Sequence, residues 1–129
     1  MEKITATLTI AAGLNFSKVF TQSVETSGNP SRAANELVRI TGNAARNWVI
    51  GDGSGALRAM PAHTPVSASL VIDLGGQTLQ DAVAGDGTDT LQTQLGLITI
   101  VADNIRTKLE VFFEQVERHL RRMTAGTQA

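Results

Sequence analysis

Residues 4–10 read ITATLTI, with an apolar side chain at every even-numbered position and threonine at every odd one. Strict alternation in a stretch rich in β-branched residues is typical of a β-strand that buries one face. Residues 66–74, VSASLVIDL, alternate in the same way. Both stretches are therefore predicted to be strands of a sheet that has one face on the core.

From Asp89 onward the apolar spacing changes to three or four residues. One stripe results, made of Leu91, Leu95, Ile98, Ala102, Ile105, Leu109, Phe112, Val116, Leu120 and Met123. This spacing predicts an amphipathic helix with Asp89 as its N-cap and Gly126 at its end. The β-branched run at 98–101 lowers helix propensity, so 89–102 is open between helix and strand, whereas about 103–124 is predicted to be a strong helix.

The middle of the chain gives shorter signals. Residues 14–25 are predicted to form a second strand, with a helix as the alternative. Residues 36–41 and 44–50 are predicted to form a hairpin around Gly42-Asn43, because Gly-Asn is typical of a two-residue turn. A helix over 31–40 is the competing interpretation. Two further predictions are a short strand at 56–60 and one or two helical turns at 77–84.

Together these segments predict an α+β fold, in which an antiparallel β-sheet from the first two-thirds of the chain precedes a C-terminal helical segment. The 129 residues are predicted to form a single domain, 1–129, that is β-rich over 1–76 and helical over 89–124. No internal repeat of about 20–50 residues is recognised in the sequence.

Composition excludes several classes of function. The absence of Cys excludes a disulfide scaffold, Cys-ligated zinc and thiol catalysis. A net charge of −1 excludes a globally basic nucleic-acid binder, although two mildly basic ends flank an acidic middle. No charged segment precedes an apolar run at the start, and the longest apolar run, 95–101, is far too short to span a membrane. The protein is therefore expected in a cytosol-like compartment rather than secreted by a signal peptide.

No motif indicates catalysis or a metal site. The glycine-rich loop Gly51–Gly55 lacks both the Gly-Lys-Ser/Thr ending of a P-loop and the spacing of a nucleophile elbow. His63 and His119 are isolated from each other and from any cluster of carboxylates in the sequence. The sequence therefore predicts that the protein is not an enzyme, that it acts on no small-molecule substrate, and that it holds no cofactor and no metal. The alternative is an enzyme built around the loop Gly51–Gly55 and its Ser54.

A nucleic-acid surface follows from the predicted hairpin. If Gly42-Asn43 is the turn, Arg39 lies directly opposite Arg46, with Trp48 beside them. Two opposed guanidinium groups repel unless an anion or a carboxylate lies between them. Together with Trp48 and Lys18 they are predicted to bind nucleic acid through phosphate contacts and base stacking. The alternative is that a carboxylate from elsewhere neutralises the two arginines.

The helical stripe predicts an interface between copies of the chain. Val111, Phe112 and Phe113 are contiguous, so the apolar surface is wider than one sheet face covers. Exposed apolar patches generally mark interaction sites. We therefore predict a homo-oligomer, at least a dimer, held together by Ile105, Leu109, Phe112, Phe113, Val116 and Leu120. The alternative is that the helix covers only the sheet of its own chain.

These features resemble small bacteriophage virion structural proteins, most of all the coat proteins of single-stranded RNA phages. The resemblance is carried by the ITATLTI strand, by Phe16–Phe20 and by the order of a β-rich part before a late helix. Residues 70–79 are similar to minor structural proteins of tailed phages. In the coat-protein family the helices of a dimer cross the partner's sheet, the dimers close into a shell, and the inner face of the sheet binds an RNA hairpin.

The resemblance implies a structural protein that self-assembles into a virus-like shell or virion component, with RNA as a partner. It implies a location in the virion, or in the cytoplasm of the host during assembly. The alternative function is a small dimeric nucleic-acid-binding module that forms no shell.

Overall fold

The computed structural model describes residues 3–26 and 28–128 of the chain. These residues form, in order, β1 (Lys3–Ala12), β2 (Phe16–Glu25), α1 (Pro30–Ile50), α2 (Ser54–Ala59), β3 (Val66–Asp73), β4 (Thr78–Gly85) and α3 (Thr90–Gln128). The strands make one four-stranded antiparallel sheet, and the C-terminal helix follows it. The predicted α+β fold is confirmed.

The sheet has the strand order β2-β1-β3-β4, and each neighbouring pair is antiparallel. Along β1 and β3 the even-numbered side chains are buried and the odd-numbered ones are partly or fully exposed. The buried face includes Ile4, Leu8, Leu70 and Ile72, and the two helices α1 and α3 pack on it. The strands predicted from alternation are therefore confirmed, as is the second strand.

Helix α1 occupies the place of the hairpin predicted around Gly42-Asn43, which does not form. Its start is defined by Pro30 in the first turn and by Asn29, whose side chain accepts a hydrogen bond from Arg32 N at 3.1 Å. The helix buries residues spaced three or four apart against the sheet and α3. This packing outweighs the turn signal of Gly-Asn, and the competing helix interpretation of 31–40 is confirmed.

Two shorter predictions are wrong. Residues 56–60, predicted as a strand, belong to α2 and its C-cap. Residues 77–84, predicted as helical turns, lie largely in the edge strand β4. The alternation of β4 is weak because its inward side chains are only half-buried. Pairing with β3 satisfies the backbone groups on one side of the strand.

The stretch 89–102, open between helix and strand, is helical. Helix α3 runs unbroken from Thr90 to Gln128. Ile98 and Val101 are fully buried. Their packing compensates for the lower helix propensity of β-branched residues.

The chain is built from two units of the same plan, each a hairpin followed by a helix. The first unit is β1-β2-α1 and the second contains β3-β4-α3. At the centre of the sheet β1 pairs antiparallel with β3, and Leu8 lies opposite Leu70. Both hairpins turn at a glycine with positive φ, 63° at Gly13 and 97° at Gly75. The units are thus related by an approximate two-fold axis that passes between Leu8 and Leu70.

The helices of the two units match position by position. Each residue buried on α1 has a buried counterpart on α3, and the residue numbers differ by 60 in each pair. The pairs are Ala34 and Gln94, Leu37 and Leu97, Val38 and Ile98, Thr41 and Val101, Gly42 and Ala102, Ala45 and Ile105, and Val49 and Leu109. The structure therefore contains an internal repeat of about 60 residues, a period longer than the 20–50 residues for which the sequence predicts no repeat.

Candidate interaction surface

Helix α3 is longer than its counterpart α1, and the difference defines the candidate site. Helix α1 ends at Ile50, the counterpart of Glu110, whereas α3 continues to Gln128. Residues 110–128 are named the α3 extension, and its side chains are described as far as Met123. At 1.5 Å per residue the α3 extension is about 27 Å long.

The start of the α3 extension divides the residues of the predicted oligomer interface into two groups. Ile105 and Leu109 are fully buried in the core of their own chain. The interface prediction is wrong for these two residues, because α3 packs on β3 and β4 as far as Leu109. For this part of α3 the alternative holds, namely that the helix covers the sheet of its own chain.

The other residues of the predicted interface lie on the α3 extension. Phe112 and Phe113 are half-buried, with their rings edge to face and their centroids 5.1 Å apart. Val116 is 40% exposed and Leu120 is 56% exposed. Met123, at 57%, belongs to the same stripe but is missing from the predicted interface. The stripe thus continues from the buried core onto exposed surface without a break.

A pocket of about 190 Å³ lies where the α3 extension passes the end of the sheet. Phe112, Phe113 and Val116 form the helix side of this pocket. The remaining walls come from the sheet and the start of α1, through Ile4, Thr26, Pro30 and Leu74. Because the walls are mostly apolar, the pocket suits a hydrophobic side chain.

Charges divide the α3 extension into two segments. Residues 110–117 contain three glutamates and no basic residue, whereas 118–122 contain three arginines and no acidic residue. Ion pairs of i,i+4 spacing link the segments, Glu114 with Arg118 and Glu117 with Arg121. Such exposed pairs stabilise a helix by a few tenths of a kcal/mol. The helix therefore presents an acidic segment followed by a basic one.

The two arginines of the predicted nucleic-acid surface do not face each other. Arg39 and Arg46 lie two turns apart on one helix. Arg39 forms an ion pair with Glu36, whose carboxyl pKa is lowered chiefly by this side-chain hydrogen bond. Arg46 donates to Asn43 Oδ1 and, across to α3, to Thr99 Oγ1 at 2.8 Å. The hairpin geometry behind the prediction is therefore wrong, and both guanidinium groups have partners within the chain.

Trp48 and Lys18 do lie together, in a cluster that ties elements to one another. Lys18 Nζ is 5.6 Å from the centroid of Trp48. The indole also packs on Phe16 and Phe20, with centroids 5.6 and 6.0 Å away, and Gly53 approaches its ring. The cluster joins the end of α1 to β2 and to the start of α2. Nucleic-acid binding by these residues and by the two arginines stays a prediction.

The described residues show no group of three or more His, Cys, Asp or Glu side chains that could hold a metal ion. In the loop Gly51–Gly55 the Ser54 hydroxyl donates to the Gly51 carbonyl at 2.8 Å, and the loop leads into α2. None of the helices within the described ranges is long and apolar enough to cross a membrane. Comparison of the chain with protein-family models, curated proteins and solved structures gives no match.

Proposed function

We propose that this protein is a structural protein that assembles with copies of itself, as a component of a virus-like shell or virion. The observation that carries the proposal is the apolar stripe of the α3 extension. The stripe is buried as far as Leu109, whereas Val116, Leu120 and Met123 are each about half exposed. A continuous apolar stripe on the surface supports an interface with another protein chain.

The construction of the chain fits this role. The α3 extension continues a helix that the core already holds, so its direction relative to the sheet is set. A second copy that binds there meets a preformed surface, and little conformational entropy is lost on binding. The resemblance of residues 4–10 and 70–79 to phage virion proteins supports the kind of assembly.

Size-exclusion chromatography with light scattering tests the proposal. The wild-type protein is expected to elute as a dimer or a larger species at micromolar concentration. Val116→Glu places a charge in the stripe and is expected to shift the mass to that of a 13.6 kDa monomer. Gln115→Glu adds the same charge at the neighbouring exposed position and is the matched control. Far-UV circular dichroism checks that both variants are folded.

Two results contradict the proposal. One is a wild-type protein that stays monomeric at high micromolar concentration, and the other is an oligomer that Val116→Glu leaves intact. The ratio of absorbance at 260 and 280 nm in the same run reports on nucleic acid. A high ratio supports a particle that packages nucleic acid, whereas a protein-like ratio removes nucleic acid from the proposal.

A further inference from the structure

The two-fold axis exchanges the two ends of the core, so each residue at one end has a counterpart at the other. At one end the segment between α1 and β3 folds over the core, and Leu57 of α2 is fully buried there. Backbone hydrogen bonds hold this segment, from Gly13 N to Pro65 O at 2.8 Å and from His63 N to Gly87 O at 2.7 Å. An apolar side chain of the same chain therefore fills the core at this end, and the pocket of about 200 Å³ beside it is lined largely by polar residues such as Arg58, Asp89 and Thr90.

At the other end the corresponding positions surround the 190 Å³ pocket. Pro30 and Leu74, which line it, are the counterparts of Thr90 and Ala12 at the end that α2 covers. Here α3 runs straight on instead of folding back, and the pocket lies between helix and sheet. Among the described residues no counterpart of α2 covers this end.

The α3 extension has the pattern of a helix that pairs with another helix. Four of its partly exposed apolar residues follow one another at intervals of three, four and three, the spacing of a coiled-coil seam: Phe113, Val116, Leu120 and Met123. Val111 and Phe112 lie beside this seam. An antiparallel pair of these helices, centred near residue 118, sets the acidic residues of 114–117 in each copy beside the basic residues of 119–122 in the other. A parallel pair sets like charges side by side, which is unfavourable.

We infer that the partner of the α3 extension is the same helix of a second copy, lying antiparallel to it. The inference rests on the proposed function, because it requires self-association through this helix. Pairing centred near residue 118 places Val116 beside the partner's Leu120, and Phe113 beside the partner's Met123. Those side chains then cover the apolar pocket, as Leu57 of α2 fills the core at the other end, and the two-fold symmetry of the dimer covers the pockets of both copies at once.

Cysteine cross-linking tests the orientation, since the chain has no Cys of its own. Val116→Cys and Leu120→Cys are produced with different tags, mixed and oxidised. If the pair is antiparallel, the disulfide that joins position 116 of one copy to position 120 of the other forms several-fold faster than a disulfide between two copies of the same variant. If the disulfides between two copies of the same variant form faster, the helices pair in parallel and the inference is overturned.

A distance measurement decides the orientation without any disulfide. A nitroxide label on Thr107→Cys, an exposed position of α3, lies eleven residues from the centre of the pairing. Two labels are then about 33 Å apart along an antiparallel pair, but about 10 Å apart across a parallel one. A short distance, or one that fits neither arrangement, overturns the inference and leaves the proposed function standing. If the wild-type protein is a monomer, both the antiparallel pairing and the proposed function are wrong.

Discussion

Thr41 and Val101 occupy equivalent positions on α1 and α3, and both are fully buried. The Thr41 hydroxyl has no hydrogen-bond partner, and a buried polar group without one costs about 1–3 kcal/mol. We therefore expect Thr41→Val to raise the free energy of unfolding by about 1 kcal/mol in urea denaturation. Val101→Thr is the matched reverse change and should lower it. A destabilising Thr41→Val would show that the hydroxyl is satisfied in solution.

Substitution by alanine is expected to change the stability of the protein in opposite directions at two glycines. A Cβ on Gly53 would lie 2.4 Å from a ring carbon of Trp48, whose ring is held by Phe16 and Phe20. Gly53→Ala should therefore destabilise the protein by about 1–3 kcal/mol. A Cβ on Gly42, inside α1, meets no atom within 4 Å. Gly42→Ala should stabilise by about 0.5–1 kcal/mol through helix propensity. Thermal unfolding measures both, and equal effects would contradict the packing around Trp48.

The sequence predicts a helix or strand correctly where the pattern of burial is local. Alternation within β1 and β3 is sufficient to predict both strands, because each buries one face along its whole length. Helix α1 carries conflicting signals, a Gly-Asn turn and apolar residues three or four apart. The helix forms because this face packs on α3, a contact with a distant segment that no local pattern contains. Strand β4 likewise depends on its pairing with β3.

The same limit applies to the candidate site. The apolar stripe from Leu91 to Met123 is visible in the sequence, but the point where it leaves the core is not. That point depends on how far the sheet extends beneath α3. The sheet ends so that Leu109 is buried in the core and Val116 is exposed. Arg46 shows the limit for a single side chain, because its partner Thr99 lies on another helix.

Equivalent caps begin the two long helices. The side chain of Asn29 accepts a hydrogen bond from Arg32 N, and that of Asp89 accepts one from Gln92 N, both at 3.1 Å. The predicted N-cap role of Asp89 is thus confirmed. Loss of such a cap costs about 1 kcal/mol, so Asn29→Ala and Asp89→Ala should each lower the melting temperature by a few degrees. Asp86→Ala, in the same loop as Asp89 and exposed, is the control. A loss as large in Asp86→Ala would mean that the loop charge, rather than the cap, stabilises α3.

The internal repeat has a visible trace in the sequence of the two central strands. Residues 4–10 and 66–72, ITATLTI and VSASLVI, share alanine, leucine and the closing isoleucine at matching positions. A single alignment does not show the repeat beyond the strands, because equivalent residues of the two units are 62 positions apart in the strands and 60 positions apart in the helices. The units nevertheless share one core, since β1 pairs with β3 and α1 packs on α3.

A shared core predicts that the two units unfold together. Leu8 and Leu70 face each other across the two-fold axis and are fully buried, so Leu8→Ala and Leu70→Ala should each cost about 2–5 kcal/mol, by similar amounts. Trp48 is the only tryptophan and reports by fluorescence on the first unit, whereas circular dichroism reports on both. Urea curves from the two probes should coincide in the wild-type protein and in both variants. Separate midpoints would mean that each unit has a core of its own, and the two-fold relation would then join two independently stable halves.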